Sequence, residues 1–379
     1  MQRIVVVALM LILSITSSAC RRRPLAAEDP DPEPAPVVKK AAPPIVPDWT
    51  ELEPEDTEPD IVVDDDPDAG VELDVKLVEA WTKAGAKVVW CWRDDFGHRA
   101  FGDFKPPTLV SQPAFWFPAF TPGVLAKVPV PDVPFGLVLR EGDLTDADIK
   151  DIAAFKTLKL LDLSYTPVTD ASLKHLVGLK DLRILNLNVT QVTNQGLLEL
   201  KGFKKLQYLN VSTTRVAGDA LKAVAGLRNL RTINCSVTGV TAASFEKLGR
   251  LRNLENVYLV NTPTNDATLK ALSKHQGLVH LYVGNSSVTD EGLAELAGLA
   301  RLRSLHLGPT KITDAGLKHV SKLRNLEMLN LFFTPISDTG LKELKGLVNL
   351  RHLVLVLTKV TDAGVDDLRA TLPRVQIDR

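Results

Sequence analysis

Apolar side chains recur along this chain with a period of 24 residues, from residue 134 to residue 373, without insertion or deletion. Stacked in register, the ordinary unit reads L-x-x-L-x-L-x-x-T-x-V-T-D-x-G-L-x-x-L-x-x-L-x-x. The ten units begin at Pro134, Leu158, Leu182, Leu206, Leu230, Leu254, Leu278, Leu302, Leu326 and Leu350. In the unit from Leu302, Leu305 and Leu307 alternate as in a short strand with one buried face, and Ile312 points inward after a turn. Thr313 and Asp314 then open a helix: the hydroxyl suits an orphan N–H of the first turn, and the carboxylate suits the positive helix end. Leu317, Val320 and Leu323 lie three apart, on the face that covers the strand. One strand and two helical turns cannot bury seven apolar side chains alone, so stacked copies must complete the core.

The ninth position of the unit holds Thr166, Thr190, Thr214, Thr238, Thr262, Ser286, Thr310, Thr334 and Thr358, with Gly142 in the first unit. A hydroxyl just past every strand predicts a ladder that satisfies backbone groups of the turn. No base recurs beside it, which argues against a row of nucleophiles. Units three to five lose parts of the helix signal, at Ala217-Gly218, Ala242 and Thr264-Asn265, so weaker helix starts are expected there. Cys235 takes an inward strand position otherwise held by Leu or Val, as a small buried thiol would.

The tract T-x-V-T-D-x-G-L-x-x-L resembles the leucine-rich repeat family, and is similar to the repeats of bacterial leucine-rich repeat lipoproteins. The resemblance covers about two thirds of the chain. It implies an α/β fold, a right-handed solenoid of about ten repeats with parallel strands on the concave side and short helices on the convex side. It says little about function, because the fold serves many partners.

Outside the repeats the pattern changes. Residues 1–20 carry Arg3, an apolar run over residues 4–13 and then Ser17-Ser18-Ala19-Cys20, the outline of a secretory signal peptide. Cys20 after a small residue is similar to the lipid-attachment cysteine of bacterial lipoproteins. Ser17 departs from that motif and would also suit ordinary signal peptidase, leaving a secreted form; Arg21, Arg22 and Arg23 oppose translocation. Residues 21–74 are rich in Pro and acid: from residue 24 on, 17 Asp and Glu face only Lys39 and Lys40. Such a stretch reads as a disordered tether. In residues 75–133, an amphipathic helix over 75–84, with Leu77, Val78 and Trp81 on one face, precedes a strand over 87–93. A helix and a strand placed there would cover the open end of a solenoid core, so this segment is read as an N-terminal cap. Eight prolines in residues 106–134 predict a loop, with Phe115-Trp116-Phe117 either packed on the cap or exposed as a contact patch. Residues 134–379 form the repeat domain, with Val375 and Ile377 as a last, incomplete strand.

The formal charge of −1 hides an asymmetry, because residues 134–379 hold 32 Lys and Arg against 24 Asp and Glu. Some of that charge is aligned. Lys180, Lys204, Arg228, Arg252 and Arg324 stand just before a unit boundary, and Lys159, Arg183, Arg231, Arg303 and Arg351 stand second in the unit. Stacking is expected to gather both sets into a basic rim: a solvated edge, or a strip for a glycan or other anionic polymer. No zinc spacing, P-loop, G-x-S-x-G or H-E-x-x-H occurs, so neither an enzyme nor a cofactor or metal site is expected. Nucleic acid is not an expected partner.

The third, fifth and seventh positions of each strand are expected to face the concave side. In the first half they include Asn186, Asn188, Asn210, Ser212, Asn234 and Ser236; from the fifth unit on they include Tyr258, His280, Tyr282, His306, Met328, Phe332 and His352. Exposed aromatics suit a protein interface. The sequence therefore suggests an extracytoplasmic, non-catalytic protein-interaction module in a bacterial cell envelope, anchored to the membrane through lipid on Cys20. A glycan- or polyanion-binding protein is the alternative.

Overall fold

The structure, a computed structural model, describes residues 72–93, 99–102, 112–249 and 251–379. The signal-peptide outline, Cys20 and nearly all of the acidic stretch lie outside the described residues.

Each repeat contributes one short strand to a single 14-stranded sheet, and neighbouring strands pair in sequence order. Pairing between repeats is parallel and in register with the 24-residue period: Asn234, Tyr258, Tyr282, His306, Asn330 and Val354 stand side by side. Gln376–Asp378 adds the expected final strand beside His352–Val354. Short helices such as Asp290–Glu295, Asp314–Val320 and Asp338–Glu343 return the chain to the next strand. Leucines from strand, turn and helix merge into one continuous core; Leu305, Leu307, Ile312 and Leu317 have no exposed surface. The fold is an α/β leucine-rich repeat solenoid.

The turn after each strand is tight. The eighth residue of the unit has φ between 50° and 60° in Glu141, Tyr165, Val189, Thr213, Val237, Asn261, Asn285, Phe333 and Leu357. That left-handed conformation disfavours any residue with a bulky side chain. The ninth-position hydroxyl braces it by donating to the carbonyl three residues back, at 2.5–2.8 Å for Thr166, Thr190, Thr262, Thr310 and Thr358. Nine such bonds recur, which accounts for the uniformity of that column.

The T-D-x-G element has a second role besides capping. The Asp of one unit reaches across to the helix start of the next. Asp290 accepts from the Thr313 backbone N–H at 2.8 Å and from its hydroxyl at 2.6 Å, and Asp170, Asp266, Asp314 and Asp338 do the same for Thr193, Thr289, Ser337 and Thr361. In these five pairs the carboxylate sits where the next unit has a glycine; Asp146 differs, accepting from the hydroxyl of Ser172 at that position, at 2.9 Å. A Cβ on Gly196, Gly292, Gly316, Gly340 or Gly364 would lie 2.1–2.4 Å from an Asp Oδ1. Where the preceding Asp is absent, so is the glycine: Ala220 follows Asn194, Ser244 follows Gly218, and Thr268 follows Ala242.

Units three and four do depart from the helical pattern. The third has only a four-residue 3₁₀ turn, Ala220–Ala223, and the fourth a five-residue helix, Ala242–Glu246. Ala217–Gly218 and Gly239–Val240 pair there as a small second sheet. The fifth unit corrects the expectation of a weak start. Asn265 and Thr268 form a reciprocal capping box on the seven-residue helix Asp266–Leu272.

At the N-terminal end, helix α1 (Val75–Lys83) and strands β1 (Lys87–Arg93), β2 (Arg99–Gly102) and β3 (Gln112–Trp116) precede the first repeat strand. The loop expected over residues 106–134 is corrected: β3 pairs antiparallel with β1 and parallel with Phe135–Val138. Pro113 is tolerated because the ladder to the repeat strand begins only at Ala114, so its missing N–H removes no bond on that side. Phe115 and Phe117 are buried in the core and are not a contact patch. Trp81 of α1, fully buried, stacks on Phe115 with centroids 4.2 Å apart, and Phe135 and Phe155 stand at its edges. Its indole N–H donates to the Pro129 carbonyl at 3.0 Å.

Candidate functional site

The two halves of the sheet face differ. The third positions of the first half are not small or amide residues, as the sequence suggested. Leu160 and Ile184 are buried with Val89, Cys91, Ala114 and Val138 in a separate apolar cluster, against which Trp116 and Tyr208 pack. The amides of the fifth column are also committed to the fold. Asn186, Asn210, Asn234 and Asn330 accept from the backbone N–H two residues on, at 2.9–3.1 Å, and Asp162 does likewise with Ser164. This Asx bond is the structural use of that column.

Three consecutive units give it up. Their fifth positions are Tyr258, Tyr282 and His306, whose rings stack in register across the strands. Centroids are 4.5 Å apart for Tyr258 and Tyr282 and 3.9 Å apart for Tyr282 and His306, with interplanar angles of 24° and 21°. The spacing follows from the separation of neighbouring strands. Each ring is half-buried by its neighbours. Beside them the seventh positions are Gly284 and Gly308, where a Cβ would meet the Gly308 and Phe332 carbonyl oxygens at 2.2 and 2.1 Å. The face next to the column therefore carries no side chain there.

His280, Met328, Phe332 and His352 are half-buried as well. His352 is engaged with Asp378 of the terminal strand at 2.6 Å, and the Ser304 hydroxyl points at the Met328 sulfur at 3.6 Å. The residues most open to solvent here lie outside the strand positions to which the sequence pointed. Phe333 is 52% exposed and Leu357 60%, both at the left-handed eighth position. Phe333 packs against Phe332, two residues beyond the partner of His306 in the ladder. The signal lay in the eighth column, where Asn261 and Asn285 suit the conformation and Phe333 and Leu357 do not; Tyr165 and Val237 hold the same exposed position in the first half of the repeats.

The expected basic rim does not hold together. Lys159 is buried, and its ammonium contacts Asp181 at 3.1 Å, which also takes Lys205 at 2.6 Å. Those two lysines hold the Asp181 carboxyl below its usual range. Arg231 pairs with Glu255 at 2.8 Å and Arg303 with Glu327 at 3.5 Å, each one strand over. Arg324 donates to the Gly346 carbonyl at 2.9 Å. Arg183 is half-buried, while Lys180, Lys204, Arg228, Arg252 and Arg351 are exposed. Several second-position residues are thus engaged with neighbours, and the open charge lies on Arg351 and on the boundary residues Lys180, Lys204, Arg228 and Arg252.

Cys235 is fully buried as expected, and burial pushes its thiol pKa up. Among the described residues, no three His, Cys, Asp or Glu side chains gather as a metal site, and no helix is long and apolar enough to cross a membrane.

Comparison with known proteins agrees with this geometry. A family model described as a leucine-rich repeat matches residues 322–345. An internalin from Listeria monocytogenes superposes with a TM-score of 0.50 at 21% identity, over 65% of this chain and 80% of that one. A leucine-rich repeat protein from Leptospira interrogans gives 0.47 at 20% identity, over 65% of each chain. A search of curated proteins found no match.

Proposed function

The fold is that of a leucine-rich repeat protein, and from that premise we propose that the C-terminal half of the sheet face binds a protein partner, without catalysis. One observation carries the reading: three successive units replace a fold-supporting amide by stacked rings. Tyr282, held between Tyr258 and His306, is already ordered, so little side-chain freedom is lost when it is covered. Phe333 and Leu357 extend this surface with exposed apolar groups in a backbone conformation that does not favour them.

A photocrosslinking residue at position 333 identifies the partner, with position 348 as control, because Val348 is the most exposed large apolar residue among the described residues and lies in a turn off the sheet face. Against that partner, Tyr282→Ala and Phe332→Ala are expected to weaken binding at least about tenfold with the fold intact, and Arg303→Ala much less. Dominance of Arg303 with neutral aromatics sinks the proposal.

The proposal also puts the protein outside the cytoplasm of a bacterial cell, held to an envelope membrane by lipid on Cys20. Its support is the sequence of residues 3–20 alone. Mass spectrometry of the native protein tests it: an intact Met1 or an unmodified Cys20 overturns the anchor.

A further inference from the structure

Where the helical segments of units three and four end, the surface opens into a hollow of about 900 Å³, with a second of about 600 Å³ beside it. Arg228 and Gly249 line both. The cause is local. The helical segments there are short, and two adjacent units have small residues, Ala225 and Gly249, at the twentieth position, which holds Val177, Lys201 or Lys345 in some units and alanine in Ala153 and Ala297.

The lining is strongly basic. Lys204, Arg228 and Arg252 are the boundary residues of three successive units, and Lys222 and Lys247 join them; Glu246 is the one carboxylate among the lining residues. The turns that carry these cations are tied together. The Asn229 amide donates to the Lys204 carbonyl at 2.8 Å, and the Asn253 amide to the Arg228 carbonyl at 3.0 Å. Several cations elsewhere in the repeats are balanced from within: Lys159 and Lys205 by Asp181, Arg231 by Glu255, Arg303 by Glu327, Lys345 by Asp367. In the hollow Lys222 pairs with Asp219 at 2.9 Å and Lys247 acts on the same carboxylate from farther off, whereas among the described residues Lys204, Arg228 and Arg252 form no ion pair. Clustered like charges repel and oppose the compact state, so a cluster of this kind fits an external counter-charge.

We propose that this hollow binds a linear polyanion carrying repeated phosphate groups. Two guanidinium forks match tetrahedral oxyanions, and the lysines add point charges. Cations supplied by three consecutive units form a row, which suits a chain of anionic groups better than one ion. The inference is independent of the partner proposed for the sheet face.

The test titrates inorganic polyphosphate into the full chain at low salt. Saturable binding is expected, and it should weaken at least about tenfold in Lys204→Gln/Arg228→Gln/Arg252→Gln. Arg231→Gln/Arg303→Gln/Lys345→Gln removes the same charge from balanced positions and should change affinity by less than about threefold. The single Arg228→Gln, at an exposed residue common to both hollows, guards against a misfolded triple and should cost about threefold or more. Tyr282→Ala should leave polyphosphate binding unchanged. Equal losses in the two triples, or no saturable binding by the unaltered chain, overturns the proposal. So does co-sedimentation with phosphatidylglycerol vesicles that the hollow triple abolishes, because the phosphate would then belong to a lipid surface.

Discussion

The coupling of an aspartate in one unit to a glycine in the next sets how far the repeat can vary at a single residue. Gly316→Ala places a methyl against the Asp290 carboxylate and should be destabilising, as should Asp290→Ala, which leaves the Thr313 donors without their acceptor. The pair together removes the clash along with its cause. The double variant should be more stable than the sum of the single effects predicts, by about 1 kcal/mol, in a denaturant-unfolding cycle. Strict additivity would refute the coupling. Carboxylates also make the fold acid-sensitive. Lys205 and Lys159 lower the pKa of Asp181, and the Thr361 hydroxyl and N–H lower that of Asp338. A lowered folded-state pKa means stabilisation that is present above the usual value of 3.8 and lost as pH falls through the folded value. Melting temperature should hold near neutrality and drop below about pH 4. Asp181→Asn should lower stability at pH 7 and make the acid loss shallower. A melting curve that is flat with pH in both proteins would contradict this.

At the scale of elements, the strand, turn and helix of each repeat were legible because every column of the unit repeats one physical role. Leu305 and Leu307 share a face, and the ninth-position hydroxyls brace their turns. The cap was harder to read. Prolines in residues 106–134 masked β3, since Pro113 falls just outside the ladder to the repeat strand and removes no bond on that side. The fifth helix looked weak because its cap uses Asn265 and Thr268 in place of the usual Thr and Asp. Helix α1 closes the core through Trp81, so Trp81→Ala should cost about 3–5 kcal/mol. Hydrogen exchange should show the loss concentrated in β1, β3 and the first two repeat strands. Uniform loss through the last repeat would mean that the cap has no local role.

For the whole molecule, the sequence located the aromatic strand positions but overrated the basic rim. Charge alignment along a repeat is visible in one dimension; the acid one strand over that neutralises it is not, as Arg231 with Glu255 illustrates. Exposure was equally hidden. Tyr258, Tyr282 and His306 shield one another, whereas Phe333 and Leu357 stand open because the turn they occupy points them outward. That turn provides a way to separate binding from folding. Asn suits the left-handed eighth position, as Asn261 and Asn285 illustrate, so Phe333→Asn/Leu357→Asn removes the exposed apolar surface and relieves strain together. The most direct measurement is therefore the partner affinity of this double variant beside its unfolding free energy. Stability unchanged or raised by up to about 1 kcal/mol, with binding weakened at least about tenfold, is the expected result. Unaltered affinity in a fully folded double variant would contradict a partner site on this face.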